Sequence, residues 1–143
     1  MWVGIITLLP ELFEGFSSYG VARRAVEDTE SLDCHYFNPR DYTQRKHGQV
    51  DDKPYGGGPG MVMQAEPLEA ALAAAQKLSP LGADTQLIVP TPHGRPLTQS
   101  LIRALAEQSA LMFLCGRYEG IDERVLEKPR PVSYTHLTLP TKA

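Results

Sequence analysis

The first thirteen residues, MWVGIITLLPELF (Met1–Phe13), pass from an apolar run to a helix start in one step. Trp2 to Leu9 is continuously apolar and rich in β-branched residues, as a parallel strand covered on both faces requires. Pro10 then opens a short helix, PELFEGF, at the one helical position where a missing N–H leaves no bond unmade. The run is too short to span a bilayer and lacks a basic leader, so it reads as a buried first strand rather than an anchor or signal.

The same alternation continues along the chain. A helical stretch over Gly20–Asp28 carries Arg23 and Arg24, and Ser31–Asn38 reads as a strand that stops at Pro39. From Pro67 onward, Leu68, Ala71, Leu72 and Ala75 fall at i, i+3, i+4 and i+7, which puts them on one buried helical face. Gln86–Val89 is the next strand, followed by the turn PTPHGRPL. Thr98 is placed to cap a helix on which Leu101, Ala104 and Leu105 line one side, and Ser109–Leu114 is a further strand. Strands alternating with helices predict an α/β fold, a mostly parallel sheet with flanking helices.

At 143 residues the chain fits one domain. With 42% hydrophobic and 22% charged residues it has the balance of a globular protein, not a disordered one. A formal net charge of −3 argues against a general nucleic-acid coat, which is basic overall. Cys34 and Cys115 stand far apart and in no metal-ligand spacing, so reduced thiols and a cytoplasmic setting are expected, without a metal. After Glu127 the text becomes KPRPVSYTHLTLPTKA, without an acidic residue, and leaves the alternation in mid-unit. Residues 1–127 are therefore taken as the domain, and 128–143 as a foreign-looking tail of read-through type.

Three segments carry more than fold. PYGGGPGM (Pro54–Met61) lets a main chain approach a ligand closely, but Met61 and Val62 stand where a phosphate loop needs Lys and Ser or Thr. The plain alternative is a hinge. TPHGRPL (Thr91–Leu97) follows a strand, where ligands gather in open parallel sheets, although a simple β–α turn has the same composition. CGRYEGIDERV (Cys115–Val125) again follows a strand. Gly116 and Gly120 leave room for an extended ligand, Tyr118 offers a flat face, and Glu119 offers a carboxylate to a cation or hydroxyl. Asp122 sits where a helix cap is equally expected. Between Arg40 and Gly60 no period holds, and a loop of that length is usually functional or disordered. Its basic residues Arg40, Arg45, Lys46, His47 and Lys53 are interleaved with Tyr42 and Tyr55, which suits a nucleic-acid backbone and splayed bases, while Asp41, Asp51 and Asp52 dilute the patch toward a merely solvated surface.

Taken together, VDDKPYGGGPGM, TPHGRPL and CGRYEGIDERV, in this order and separation, resemble the bacterial tRNA (guanine-N1)-methyltransferases of TrmD type. MWVGIITLLPELF and YGVARRAV match the start of that family, so the likeness runs from Met1 to about Val125. The resemblance implies a SPOUT-class domain with a trefoil knot, a homodimer with active sites at the subunit interface, and S-adenosyl-L-methionine (AdoMet) as donor. The reaction implied is methylation of guanine N1 in tRNA, next to the anticodon. By position, Pro90, Thr91, Pro92 and Gly94 correspond to one wall of the AdoMet pocket. Gly116, Arg117, Tyr118, Glu119 and Gly120 correspond to the other. Pro59 and Gly60 fall near the target base, and Arg45, Lys46 and Lys53 on the loop that approaches the tRNA. Pro90 departs from the family, which often has leucine there.

Guanine N1 is protonated at neutral pH, so a carboxylate that removes its proton contributes roughly 10²–10⁴-fold. In the family that aspartate, its arginine partner, a serine- and glycine-rich AdoMet loop and a tRNA-binding domain follow the stretch matched by Val125. None of them is in this sequence. The resemblance therefore implies a domain cut before its knot is complete, and a chain that by itself transfers no methyl group. Two alternatives remain: a non-catalytic RNA-binding fragment, and a knotted methyltransferase for another RNA.

Overall fold

A computed structural model describes residues 1–28, 31–127 and 132–136. Strand β1 (Trp2–Ile6) lies near the middle of a five-stranded sheet, with β2 (Asp33–Phe37) on one side and β6 (Ala110–Leu114) on the other. Beyond β6 come β5 (Gln86–Pro96) and β8 (Val132–His136), giving the order β2-β1-β6-β5-β8 with every pairing parallel. Trp2 is opposite both Asp33 and Ala110, and Ile6 opposite both Phe37 and Leu114, so three strands end in register. Four of the five residues of β1 and of β6 are buried, which explains the unbroken apolar runs.

Helix α3 (Ala65–Leu78) covers the sheet at β1 and β2. Its Leu68, Ala71, Leu72 and Ala75 are fully buried, on the face that their spacing predicts. They pack in one core with Ile6, Leu87, Met112 and Leu114. Helix α1 (Pro10–Ser17) starts at its proline, and α2 (Gly20–Arg23) runs on into a π-helical turn, Arg24–Asp28.

Four differences from the sequence reading have physical causes. Strand β5 does not stop at Val89 but runs to Pro96, with a register break in which Pro90 and Arg95 both face Thr135. The expected turn is therefore a wide bulge, because prolines at 90, 92 and 96 have no N–H to give a ladder. Helix α4 (Gln99–Ala106) is capped as expected, Thr98 Oγ1 accepting the Leu101 amide at 3.3 Å, yet none of its residues is fully buried. The long loop carries 3₁₀ turns at Pro39–Tyr42 and Lys46–Gly48 and supplies one edge strand of a second, three-stranded sheet. In that sheet β4 (Val62–Met63) pairs antiparallel with β3 (Asp51–Asp52) and parallel with β7 (Gly120–Ile121). Finally, Val132–His136, left out of the fold by the sequence reading, forms strand β8, and the rest of the tail lies outside the described residues.

Candidate functional site

Parallel strands deliver their carboxyl ends to one edge, and the site is built there. The Cys115 amide donates to Ile6 O at 2.9 Å and extends the β1–β6 pairing by one residue before the chain turns away. Gly116 fits tightly, since a Cβ there would lie 3.2 Å from Ile121 Cδ1. The Arg117 amide donates to Met63 Sδ at 3.3 Å, and Tyr118 adopts the left-handed conformation, φ 62°. A non-glycine residue held at positive φ stores strain of the sort found at ligand-binding sites. Helix α5 (Glu123–Glu127) follows, with Asp122 Oδ1 accepting the Arg124 amide at 3.0 Å as its cap. Arg124 Nη2 returns a 2.6 Å ion pair to the same carboxylate.

The loop from Pro39 to Met61 is tied at its stem. Arg40 Nη1 donates to Gly48 O at 3.0 Å, Thr43 Oγ1 to Gln49 O at 2.9 Å, and the Gln64 amide to Val50 O at 2.8 Å. Asp52 gathers the basic end: it accepts the Lys53 amide at 2.8 Å, Gln64 Nε2 at 3.1 Å and Arg45 Nη1 at 3.5 Å. The Lys53 amide, with Gln64 and Arg45, holds the Asp52 carboxyl below its ordinary range. Arg124 does the same for Asp122. Burial pushes the Cys115 thiol up to about 11, so it stays protonated at neutral pH and does not serve as a nucleophile.

Strand ends, loop and α5 together enclose a groove of ≈ 1860 Å³. Pro90 and Thr91 line it from β5, Gly116 to Gly120 from the segment after β6, and Arg45 and Lys53 from the loop. Thr91 and Tyr118, far apart in sequence, thus face one space. Lys46 is exposed and is not part of the lining, and Gly94 is half-buried outside it. The side chain of Pro92 lies outside the described residues. Pro59 and Gly60 do not line the groove but adjoin it, Gly60 abutting Glu119. The groove is open to solvent along one side, and its volume exceeds the roughly 300–1,000 Å³ of an enclosed small-molecule pocket.

Seven carboxylates, Asp52, Glu66, Glu69, Glu119, Asp122, Glu123 and Glu127, line the groove against four cations, Arg45, Lys53, Arg117 and Arg124. Among the described residues no group of three His, Cys, Asp or Glu is arranged to hold a metal, and no helix is long and apolar enough to cross a membrane. Sequence reasoning missed the parts of this site supplied by Glu66 and Glu69 on α3 and by Asp52 and Gln64. Their signal was the length of the loop itself, whose ends must be fastened somewhere.

Strand-end glycines, a bulged proline segment and a cation-bearing loop around one groove define an α/β ligand-binding domain of the kind found in nucleotide- and cofactor-using enzymes. The sequence model described as "tRNA (Guanine-1)-methyltransferase TrmD" matches residues 1–134, and the chain belongs to that family. It is 50% identical over 129 residues to a tRNA (guanine-N(1)-)-methyltransferase of Pseudomonas paraeruginosa, covering 90% of this chain and 50% of that protein. Its counterpart in Colwellia psychrerythraea is 48% identical over 127 residues, with 88% and 50% covered. The crystal structure of tRNA (m1G37) methyltransferase from Aquifex aeolicus superposes with a TM-score of 0.81 at 30% identity, covering 96% of this chain and 60% of that one. The chain spans about half the length of the curated relatives it matches.

Proposed function

We propose that the protein containing this chain transfers a methyl group from AdoMet to guanine N1 of tRNA, beside the anticodon, in the cytoplasm. One observation carries the reading: Thr91 and Tyr118, from the two motifs assigned to the donor, line one groove that also receives Arg45 and Lys53 from the loop assigned to the RNA. The residues suit the donor chemically. AdoMet brings a sulfonium and an ammonium, and the groove holds more carboxylate than cation; at Gly120 nothing lies within 4 Å of where a Cβ would stand, leaving the backbone open to a ligand. AdoMet, when bound, supplies an electrophilic methyl.

The chain's own residues bind and orient. Pro90 and Thr91 form one wall, with Pro92 and Gly94 assigned to the same segment by resemblance although Gly94 stands outside the lining; Gly116, Arg117, Tyr118, Glu119 and Gly120 form the other. Pro59 and Gly60 receive the base, while Arg45 engages the RNA backbone through its planar guanidinium and Lys46 and Lys53 as point charges. Holding the base in line with the donor converts an encounter into an intramolecular step. The five-stranded parallel sheet is the frame of a SPOUT-type, trefoil-knotted domain.

We further infer that the protein works as a homodimer. Leu12 and Phe16, one helical turn apart on α1, are 68% and 73% exposed; Tyr19 and Val21 beside them are 78% and 83% exposed. An apolar face left this bare marks an interaction surface. Phe16→Glu in the full-length protein is expected to shift light-scattering mass toward the monomer.

The test of the activity is a radiolabelled methyl transfer to tRNA by the full-length protein, with primer-extension arrest locating the methyl. Arrest next to the anticodon is expected; transfer elsewhere, or to another RNA, overturns the reading. Thermal shift provides a second arm. AdoMet at 100 times its Kd stabilises a binding protein by about 2.7 kcal/mol, so an RNA-binding module that ignores AdoMet shows no shift. The 143-residue chain alone is expected to transfer no methyl group.

A further inference from the structure

Two motifs 58 residues apart are fastened to each other at one carboxylate. The Glu119 amide donates to Met61 O at 3.1 Å, and the Met61 amide donates to Glu119 Oε2 at 2.7 Å. An amide bonded to a carboxylate makes a stronger bond than a neutral pair. Beside it Gly60 adopts φ +87°, and a Cβ there would overlap the Glu119 carboxylate. Two constraints therefore require glycine at position 60: its backbone angle and the carboxylate against it. By contrast, at Gly56, Gly57 and Gly58 nothing lies within 4 Å of an added Cβ. The glycine-rich loop is open along those residues and held at its carboxyl end.

We propose that Glu119 is a positioning residue for the glycine-rich loop. Its carboxylate fixes where Pro59 and Gly60 lie, and hence where the target base is received, in addition to forming part of the groove wall. The inference rests on the proposed function for its meaning in catalysis, but the fastening is a property of this chain.

The test begins with amide exchange by NMR on the 143-residue chain. Glu119→Ala is expected to speed exchange at Met61 about tenfold, the loss expected when a charge-assisted bond is removed. Glu119→Gln, which retains an acceptor oxygen without the charge, is expected to keep part of the protection. Gly60→Ala is expected to reproduce the Glu119→Ala result by displacing the carboxylate. The core amides of Leu72 and Met112 stay protected in all three. In the full-length protein, Glu119→Ala is expected to raise KM for tRNA by a larger factor than KM for AdoMet, whose wall it also joins. Unchanged Met61 exchange overturns the proposal, as does loss of core protection in all the variants, or a rise in KM for AdoMet alone. If the full-length protein proved inactive on tRNA, the proposed function would fail, while the exchange data would still decide whether Glu119 holds the loop.

Discussion

Removing the Met63 side chain tests whether the small sheet is fixed to the core or merely rests on it. Met63 is fully buried, pairs with Asp51 and Ile121, and accepts the Asp122 amide on its carbonyl at 2.9 Å. Its sulfur accepts the Arg117 amide at 3.3 Å. Met63→Ala removes a buried side chain, worth about 2–5 kcal/mol, and the lower half applies because loops border the site and relax into part of the void. An Arg117 amide left without its acceptor adds about 1 kcal/mol. The expected loss is therefore roughly 3–4 kcal/mol, a large part of the roughly 5–15 kcal/mol available to a domain. Met63→Leu keeps the volume and loses only the sulfur, so it costs about 1 kcal/mol. Urea denaturation followed by circular dichroism measures both. At a slope of about 2 kcal/mol/M the alanine variant moves the midpoint by roughly 1.5–2 M and the leucine variant by about 0.5 M. An alanine cost below about 1 kcal/mol at unchanged slope would refute the packing argument, because no fully buried methionine in a dense core is that cheap.

Three further outcomes are expected. Gly4→Ala drives a Cβ into the Trp2 ring, which stacks on His35 at 5.5 Å; the chain's single tryptophan should change its emission, and stability should fall by about 1–3 kcal/mol. Unaltered emission would show that the ring is not held there. Cys115, with its thiol pushed up to about 11, should react with iodoacetamide several-fold more slowly than an unfolded control at pH 8. Because that folded value is raised, the associated stability is complete below the ordinary thiol value near 9 and is lost as pH rises through 11. Asp52 and Asp122 behave oppositely: their folded values are lowered, so their contribution is complete above the ordinary carboxyl value of 3.8 and is lost as pH falls below it. Protection of the Lys53 and Arg124 amides, relative to their intrinsic exchange rates, should fall in that acid window, and constant protection there would contradict the hydrogen bonds described.

The sequence carried the central sheet well because strands buried on both faces need unbroken apolar runs, and β1 and β6 have them. Helix α3 was legible from four residues at one period. What failed to show was pairing that depends on the other side of the molecule. Strands β3, β4 and β7 have two residues each and pair across long sequence separations through Val62 and Met63, so no local pattern announces them. Helix α4 shows the converse. Leu101 and Leu105 have the right period, but periodicity does not say what an apolar stripe packs against, and both remain half-buried.

The groove's charge gives the site a division of labour. A ligand with a phosphate backbone meets Arg45 and Lys53 on the loop, whereas Glu66, Glu69, Glu123 and Glu127 on α3 and α5 present carboxylates to the same space. If the proposed function holds, phosphates are repelled from that acidic side and attracted to the loop, so an RNA backbone would stay at the rim while an uncharged base enters. The same carboxylates favour a cationic donor. Because Asp52 draws Arg45 and the Lys53 amide together, losing its charge weakens the rim as well as the loop stem. Asp52→Asn in the full-length protein should therefore weaken tRNA binding although it makes the groove less negative. A simple net-charge argument predicts the opposite sign. Filter binding at two salt concentrations separates the two accounts: tighter binding by the variant would mean that total charge, not the placement of Arg45 and Lys53, governs the encounter.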